Sequence, residues 1–261
     1  MMVTRKQVLF GLTNNDDKTF MSQMCDKADR SVKTKTAVYT KFLAPREQNL
    51  ISERMSGFVC VTKFGGYDEG ERNIICFTDY DDFYGDMEFP IDALKIVATN
   101  KKVYSHRDYL GSILALGIKR ELIGDIVMND ECAFVFCHNE ISDYIIYNLE
   151  KIANARVIIT KCNDISEADI PQKQFKQRND TVTSLRLDCV VSAVANMSRA
   201  TSADAVKKGL VSLNYDTNCQ VATTVSDGDV ISVRGYGKFI IKTDGTLTKK
   251  GRYHIQILQY I

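Results

Sequence analysis

The stretch that decides the fold of the C-terminal third reads TSLRLDCVVSAVANMSRATSADAVKKGLVSLN and runs from Thr183 to Asn214. After Leu187, apolar residues recur at helical spacing, and Asp188 has a residue type that caps helix starts. Ser198 and Gly209 are typical of the start and the end of a second helix. The LVSLN that follows predicts a strand. The stretch therefore predicts two short helices that lead into a sheet.

Charged residues of the second predicted helix divide into two kinds. Lys207 and Lys208 lie in its last turn, where the helix dipole favours cations in any case. Arg199 lies in the first turn, where a cation opposes the dipole by about 0.3–1 kcal/mol. This placement predicts that Arg199 serves a binding partner.

The next segment, VSDGDVISVRGYGKFIIK, predicts a hairpin rich in glycine. Asp227-Gly228 marks a tight turn, and Val230 to Val233 form a strand. Gly235 and Gly237 flank Tyr236, which leaves the backbone accessible beside Arg234 and Lys238. Cations next to an aromatic ring and open backbone are suited to phosphate and sugar contacts. A second hairpin is expected at Asp244–Thr246, followed by another basic turn.

The composition is that of a globular protein. The 261 residues are 44% hydrophobic and 26% charged, and the longest apolar runs fall short of the roughly 18 residues that a membrane span needs. The apolar run near the N-terminus is too short and too close to acidic residues for a secretory signal. We expect a cytoplasmic protein that does not contact a membrane.

Patterns for metals and nucleotide cofactors are missing from the sequence. The eight cysteines are scattered and form no CxxC pair, so we expect reduced thiols. Cys132 with Cys137-His138 fits no zinc spacing. Gly65-Gly66 belongs to neither a strand–GxGxxG–helix unit nor a GxxxxGK[ST] loop, and it is expected to serve a turn. We expect no cofactor, no metal and no small-molecule substrate.

Charge is distributed unevenly along the chain. The overall net charge is +1, but residues 172–261 hold 13 Lys and Arg against 7 Asp and Glu, a net of +6, whereas residues 1–171 carry a net of −5. A basic end on a weakly acidic body indicates a polyanionic partner.

Residues 89–162 alternate between strand and helix patterns in the order βαββαβ, which is typical of the ferredoxin-like or RRM-like sandwich. AFVF at Ala133–Phe136 resembles the end of the aromatic RNA-stacking motif of an RRM. Because Asn129, Asp130 and Glu131 occupy the preceding basic and glycine positions, core phenylalanines are favoured over RNA stacking. The polar QKQFKQRND, residues 172–180, predicts a linker.

The C-terminal pattern resembles the small RNA-binding domain named after ribosomal protein S-four. The resemblance lies in R-L-D, an apolar helix, S-R, then K-K-G, and finally V-x-x-G-D-x-I-x-V-R-G-x-G-K-F, over about residues 182–240. Tyr215 stands where that domain usually has Gly, which predicts a wider first hairpin.

FLAPREQ (42–48), GGYDEGER (65–72) and HRDYLGSILALGIKRELIGDI (106–126) extend the resemblance, because they are similar to the YlmH family of three-part RNA-binding proteins, also known as photosystem II S-four-domain proteins. It implies an α+β, multidomain fold. We expect a mainly helical N-terminal domain with a small sheet (1–80), an RRM-like domain (85–165), a linker (172–181) and an S-four-type domain with a C-terminal hairpin (182–261).

Carried over residue by residue, the resemblance implies no catalytic residue and one set of RNA-contacting candidates: Arg186, Arg199, Lys207, Lys208, Asn214, Arg234 and Lys238. The implied partners are ribosomal RNA, tRNA and the ribosome, and the implied state is a monomer. A non-catalytic binder in quality control or rescue of stalled ribosomes is favoured. An RNA-modifying enzyme or its accessory, suggested by Arg186-Leu187-Asp188 as a pseudouridine synthase signature, and an adaptor in cell division or photosystem assembly remain alternatives.

Overall fold

The computed structural model describes residues 4–55, 59–79, 88–100, 102–162, 170–171 and 175–260. The chain forms two compact units, Met1–Pro171 and Gln172–Ile261. Their secondary structure is a mixture of helices and antiparallel sheets, which confirms the predicted α+β, multidomain fold. No helix among the described residues has the length and apolar character to span a membrane.

The first part of the first unit packs helices on a three-stranded sheet of order β1-β3-β2. Helix α2 is well capped, since the Asn14 side chain accepts from the Asp16 N–H and Lys35 ends the helix in the left-handed region. Strand β1 was not predicted. The elements are α1 (Arg5–Leu9), α2 (Asn15–Thr34), β1 (Val38–Leu43), α3 (Pro45–Met55), β2 (Cys60–Phe64) and β3 (Asn73–Thr78).

The second part of the first unit has the predicted βαββαβ order, and its sheet order β5-β6-β4-β8 is that of the ferredoxin-like sandwich. Ser105 begins α4 with a reciprocal capping box to Asp108. A two-residue strand, β7, pairs with β8 and extends the sheet. The elements are β4 (Ile91–Ala98), α4 (His106–Leu114), β5 (Ile123–Met128), β6 (Ala133–His138), α5 (Asn139–Asn148), β7 (Lys151–Ile152) and β8 (Ala155–Cys162).

A shared core joins the two parts of the first unit. Phe42 and Tyr67 from the first part are buried with Phe134 and Phe136 from the second, and the rings of Tyr67 and Phe136 stack at 4.8 Å. The two phenylalanines are therefore core residues, as the sequence favoured, and they are not available for RNA stacking.

The second unit packs two helices on one face of a five-stranded sheet of order β10-β11-β12-β13-β9. Val190, Val191 and Val194 of the first helix are buried against it, each worth about 1.5–3 kcal/mol of apolar burial. The elements are β9 (Phe175–Val182), α6 (Leu187–Val194), α7 (Arg199–Lys207), β10 (Val211–Leu213), β11 (Val230–Val233), β12 (Gly237–Lys242) and β13 (Tyr253–Tyr260).

The prediction of a linker at residues 172–181 is wrong over the described residues 175–181, which belong to strand β9. Residues 172–174 lie outside the described residues, and β9 pairs along its whole length with β13. The strand holds the sheet through backbone hydrogen bonds, so it does not need an apolar pattern. Arg178 also donates to the carbonyls of Ala193 and Val194 at 2.6 and 2.8 Å, and so satisfies the C-terminal end of α6.

The turn directly after β10 is tight, although residues 214–229 separate β10 from β11, its partner in the first hairpin. Leu213 and Asp216 exchange backbone hydrogen bonds of 2.9 and 3.0 Å across only two residues. Both of these residues, Asn214 and Tyr215, have positive φ, at 49° and 68°. This is the conformation of a two-residue hairpin turn, here reached without glycine.

Candidate RNA-binding site

Arg186, and not Asp188, occupies the N-cap position of α6. The N–H groups of Leu187 and Asp188 donate to the carbonyls of Thr223 and Val221, at 2.8 and 3.2 Å. Backbone carbonyls of the β10–β11 connection thus accept from the first N–H groups of α6, for which a capping side chain would otherwise be needed. The prediction that Asp188 caps the helix is wrong, and its carboxylate is left for another task.

The Asp188 carboxylate joins two arginines from two helices. The Arg186 Nε donates to Oδ1 at 3.1 Å, and the Arg199 Nε donates to Oδ2 at 2.7 Å. The Asp188 side chain is only 5% exposed, whereas those of Arg186 and Arg199 are 41% and 56% exposed. One buried anion therefore orients two surface cations.

The ionisation of Asp188 follows from this arrangement. Burial alone would raise the pKa of the carboxyl, but the hydrogen bonds from Arg199 and Arg186 outweigh burial, and the pKa lies below its usual range. The carboxylate is consequently charged at neutral pH, and the ion pairs persist.

Arg199 has a partner inside the protein, which the sequence argument missed. Its unfavourable position in the first turn of α7 is offset by Asp188, since Asp188 places a negative charge beside that turn. A guanidinium carries five N–H donors. Among the described contacts each of the two arginines uses only its Nε, so the outer edges of both groups remain able to bind a phosphate.

The other end of α7 carries a second basic group. Gly209 ends the helix with φ +66°, as predicted, and Lys207 and Lys208 are exposed beside it. The Arg234 N–H donates to the Leu210 carbonyl at 2.9 Å, which brings the β11–β12 turn alongside. Lys207 therefore lies about 12 Å along α7 from Arg199, given a rise of about 1.5 Å per residue, and the Arg234 backbone is joined to Leu210, two residues after Lys208.

The glycine turn between β11 and β12 has the predicted open backbone. Gly235 and Gly237 have φ of +84° and +121°, values that side chains with a Cβ rarely adopt. The Tyr236 side chain between them is half exposed, at 50%. The turn thus presents an aromatic ring next to Arg234.

Asn214 has a clear structural use. Its amide oxygen accepts from the Val230 N–H at 2.9 Å, and its amide nitrogen donates to Asp229 at 2.8 Å. Both ends of the amide therefore connect the turn after β10 to the start of β11. A role of Asn214 in contacting RNA remains a prediction.

Lys238 lies between two aromatic rings. Its Nζ is 4.8 Å from the ring centroid of Tyr215 and 4.6 Å from that of Tyr260. Both contacts have the geometry of cation–π interactions. This lysine is held in place on the sheet, on a different element from the α7 cations.

The segment GGYDEGER (65–72) folds around the Asp125 side chain. The carboxylate accepts from the Tyr67 hydroxyl at 2.9 Å and from the N–H groups of Glu71 and Arg72 at 2.6 and 3.1 Å. The Arg72 guanidinium also donates to the Phe42 carbonyl at 2.9 Å. Burial, together with the Asp125 charge, raises the pKa of Tyr67. This motif is structural: it fastens the two parts of the first unit together.

FLAPREQ is likewise structural. Arg46 makes two hydrogen bonds of 2.8 Å to the Asp17 carboxylate of α2. These hydrogen bonds lower the pKa of Asp17. Gln48 is buried and donates to the carbonyls of Leu43 and Glu71. The sequence could not distinguish such joints from binding residues, because both use Arg and amide groups.

An open cavity of about 450 Å³ lies in the first unit and is lined by Lys41, Leu116, Gly117, Ile118, Lys119, Glu121, Leu122, Glu140, Ile141 and Tyr144. Lys41 pairs with Glu140 at its edge, and both charge signs are present. The lining does not favour one class of ligand. Across the described ranges, no three His, Cys, Asp or Glu residues come together as a metal site.

Comparisons with known proteins agree with this description. Residues 85–166 match a family described as "Putative RNA-binding domain in YlmH". The chain is 32% identical over 219 residues to "Ribosome-associated protein quality control protein P2" of Bacillus subtilis (strain 168), which covers 83% of this chain and 84% of the relative. The solved "Cell division protein ylmH from Streptococcus pneumoniae" has a similar fold, with a TM-score of 0.51 at 20% identity over 59% of this chain and 94% of that one.

Proposed function

Because the chain belongs to the YlmH family, we propose that it is a non-catalytic protein that binds structured ribosomal RNA. It docks on the large ribosomal subunit beside tRNA, in the cytoplasm, and takes part in quality control or rescue of stalled ribosomes. The ribosome-associated relative supports the pathway. The basic surface of the second unit supports the mode of binding.

The observation that carries the proposal is the pair of arginines fixed by a buried aspartate. Asp188 holds Arg186 and Arg199 in defined orientations, and Lys207, Lys208 and Arg234 form the second group at the far end of α7. Fixed guanidiniums lose less conformational entropy on binding and can each contact a phosphate with two N–H groups. Two such groups along one short helix suit the closely spaced phosphates of folded RNA.

The same geometry opposes the reading of Arg186-Leu187-Asp188 as a catalytic signature. A catalytic aspartate has to reach its substrate, but the Asp188 side chain is 5% exposed and both of its oxygens accept from arginines. The backbone carbonyl of Asp188 is also taken, by the Ser202 hydroxyl at 2.6 Å. The triplet is better explained as the support of a binding surface.

Variants of Arg186 and Arg199 can affect folding as well as binding, because both arginines pair with the buried Asp188. Replacing Arg186 and Arg199 by Glu would put two carboxylates beside a buried third, so lost binding could reflect lost folding. Lys207, Lys208 and Arg234 are exposed, and their replacement leaves no buried charge unpaired. The variant Lys207→Gln/Lys208→Gln/Arg234→Gln therefore tests binding without touching Asp188.

Ribosome co-sedimentation at low and high salt tests the proposal. We expect the wild-type protein to travel with large subunits at low salt and to dissociate as salt rises, since phosphate contacts release counterions. The triple variant should dissociate at lower salt. A matched control, Lys18→Gln/Lys33→Gln/Lys63→Gln, removes three exposed cations from the first unit and should behave as wild type.

Two results would contradict the proposal. The first is wild-type protein that stays out of the ribosomal fractions even at low salt. The second is the triple variant and the control losing the same affinity. In addition, nucleotide analysis of ribosomal RNA and tRNA incubated with the purified protein should reveal no new modified base, and a new base would restore the enzyme alternative.

A further inference from the structure

The sheet of the second unit has an outer face that its helices do not cover. The described core of the unit places α6 and α7 against the opposite face, with Ile231, Phe239 and Ile257. Alternation along the strands puts the neighbouring side chains on the outer face. By strand register these are Ser212, Ser232, Lys238, Tyr260 and Phe175 in one row, Val230, Ile240, Leu258 and Gln177 in the next, then Lys242, Gln256 and Asn179, and finally His254 and Thr181.

The composition of this outer face is unlike that of an ordinary solvated sheet. None of these described positions holds a carboxylate, whereas two hold lysines and most of the others hold amides, hydroxyls or rings. The Asp227 carboxylate, in the turn before β11, lies 3.9 Å from the Lys242 ammonium. Because Asp227 offsets part of the Lys242 charge, the face favours a ligand that places its anionic group near Lys238 and also offers hydrogen-bonding groups and flat apolar surfaces.

Aromatic rings line one end of the outer face. The rings of Phe175 and Tyr260 meet edge to face with centroids 4.9 Å apart. The Lys238 ammonium lies between the rings of Tyr260 and Tyr215. Phe175, on the edge strand, is 36% exposed. This end of the face thus holds a cation between two rings and a third, exposed ring at the sheet edge, groups that can bind a phosphate by charge and a base by stacking.

We propose that the outer face binds single-stranded RNA, separately from the structured RNA on the helical side. A base stacks on Phe175 beside Tyr260, a phosphate meets Lys238, and Gln177, Asn179 and Gln256 supply hydrogen bonds to base edges. The proposal rests on the proposed function in taking RNA as the partner. It assigns Lys238 to this face and away from the Lys207, Lys208 and Arg234 group.

The chemistry favours RNA over a protein segment. Three aliphatic side chains, Val230, Ile240 and Leu258, are only partly exposed, so the face offers little aliphatic surface for the apolar centre of a protein interface. The net charge of +6 on residues 172–261 also attracts a polyanion. Stacking tolerates any base, so little sequence preference is expected.

A tryptophan probe tests contact directly, because the chain contains no tryptophan. In Phe175→Trp, a uridine or adenosine oligomer of about ten nucleotides should quench the tryptophan emission as bases stack on the ring. Emission that stays unchanged while the labelled oligomer binds would place the strand elsewhere and overturn the proposal. Quenching by an RNA-free ribosomal protein, with none by the oligomer, would assign the face to a protein and also overturn it.

Fluorescence anisotropy supplies the affinity. Phe175→Ala should weaken oligomer binding about five- to one-hundred-fold, the range for loss of one stacked base. Leu247→Ala, which removes another exposed apolar side chain outside the face, should bind as wild type. Equal affinity of Phe175→Ala and wild type would refute the proposal. Wild-type protein that co-sediments with ribosomes but binds no oligomer would refute this inference alone, whereas failure to co-sediment would refute the proposed function.

Discussion

The buried Asp188 carboxylate makes the loss of its two arginines more costly than its own loss. In Arg186→Gln/Arg199→Gln, a carboxylate that is 5% exposed keeps its charge without either cation. Breaking a buried ion pair in this way costs about 3–5 kcal/mol. Because both arginines are about half exposed, water reaches the site, and we expect the lower end, about 3 kcal/mol.

In Asp188→Asn, the change removes the buried charge and leaves two cations that water can solvate. We expect a cost of about 1–2 kcal/mol, the loss of charge-assisted hydrogen bonds at a partly wet site. Arg186→Gln/Asp188→Asn/Arg199→Gln should be more stable than Arg186→Gln/Arg199→Gln, since it has no unpaired buried charge. This order of stabilities is specific to an anion that is buried and cations that are not.

The free energy of unfolding should change with pH in opposite directions in the wild type and in Arg186→Gln/Arg199→Gln. In the wild type the folded pKa of Asp188 is depressed, so the stabilisation is complete above the unfolded value of about 3.9 and is lost as pH falls below it. Without the arginines, burial raises the folded pKa, so protonation relieves the cost. The stability gap between wild type and Arg186→Gln/Arg199→Gln should therefore narrow from pH 7 to pH 4.

Hydrogen–deuterium exchange of the α6 and α7 amides in the full-length chain is a suitable assay, because it reports the local free energy of opening even when two units unfold separately. Peptides from β4 and β6 of the first unit serve as an internal control and should not change. If Asp188→Asn is as costly as Arg186→Gln/Arg199→Gln, or if the stability gap does not narrow with falling pH, the Asp188 carboxylate is not a buried charge held by the two arginines.

Three further substitutions test the packing at Gly66 and the hydrogen bonds of Asp125 and Asn214, with the free energy of unfolding measured by thermal denaturation. Gly66→Ala should cost more than about 2 kcal/mol, because a Cβ there would lie 2.3 Å from the Phe136 ring and φ is +98°; near-native stability would contradict this packing. Asp125→Ala removes the acceptor of three hydrogen bonds and should cost about 2–4 kcal/mol, whereas Asp130→Ala on the exposed β5–β6 turn should be neutral. Asn214→Ala should cost about 1–2 kcal/mol through the lost hairpin hydrogen bonds, and an unchanged melting temperature would argue against its structural use.

Elements with a strong local pattern were predictable from the sequence. Val230–Val233 has the predicted bounds, and Ser198 and Gly209 cap and end α7 as expected. In these segments apolar periodicity and turn residues agree with the final fold.

Features that depend on partners far apart in the sequence could not be predicted. Strand β9 is polar, and only its pairing with β13 makes it a strand. Asp188 and Arg199 are 11 residues apart and meet only when two helices pack. The Arg199 cation could not be given its internal partner in advance, since dipole arguments consider one helix at a time.

Binding of ribosomal RNA by Lys207, Lys208 and Arg234 is tested most directly by the salt dependence of binding to purified large subunits. Each phosphate contact contributes about 0.7–0.9 to the slope of the logarithm of affinity against the logarithm of salt. We expect a steep slope for the wild type and a slope smaller by about 2–3 for Lys207→Gln/Lys208→Gln/Arg234→Gln. Equal slopes for the two proteins would contradict it.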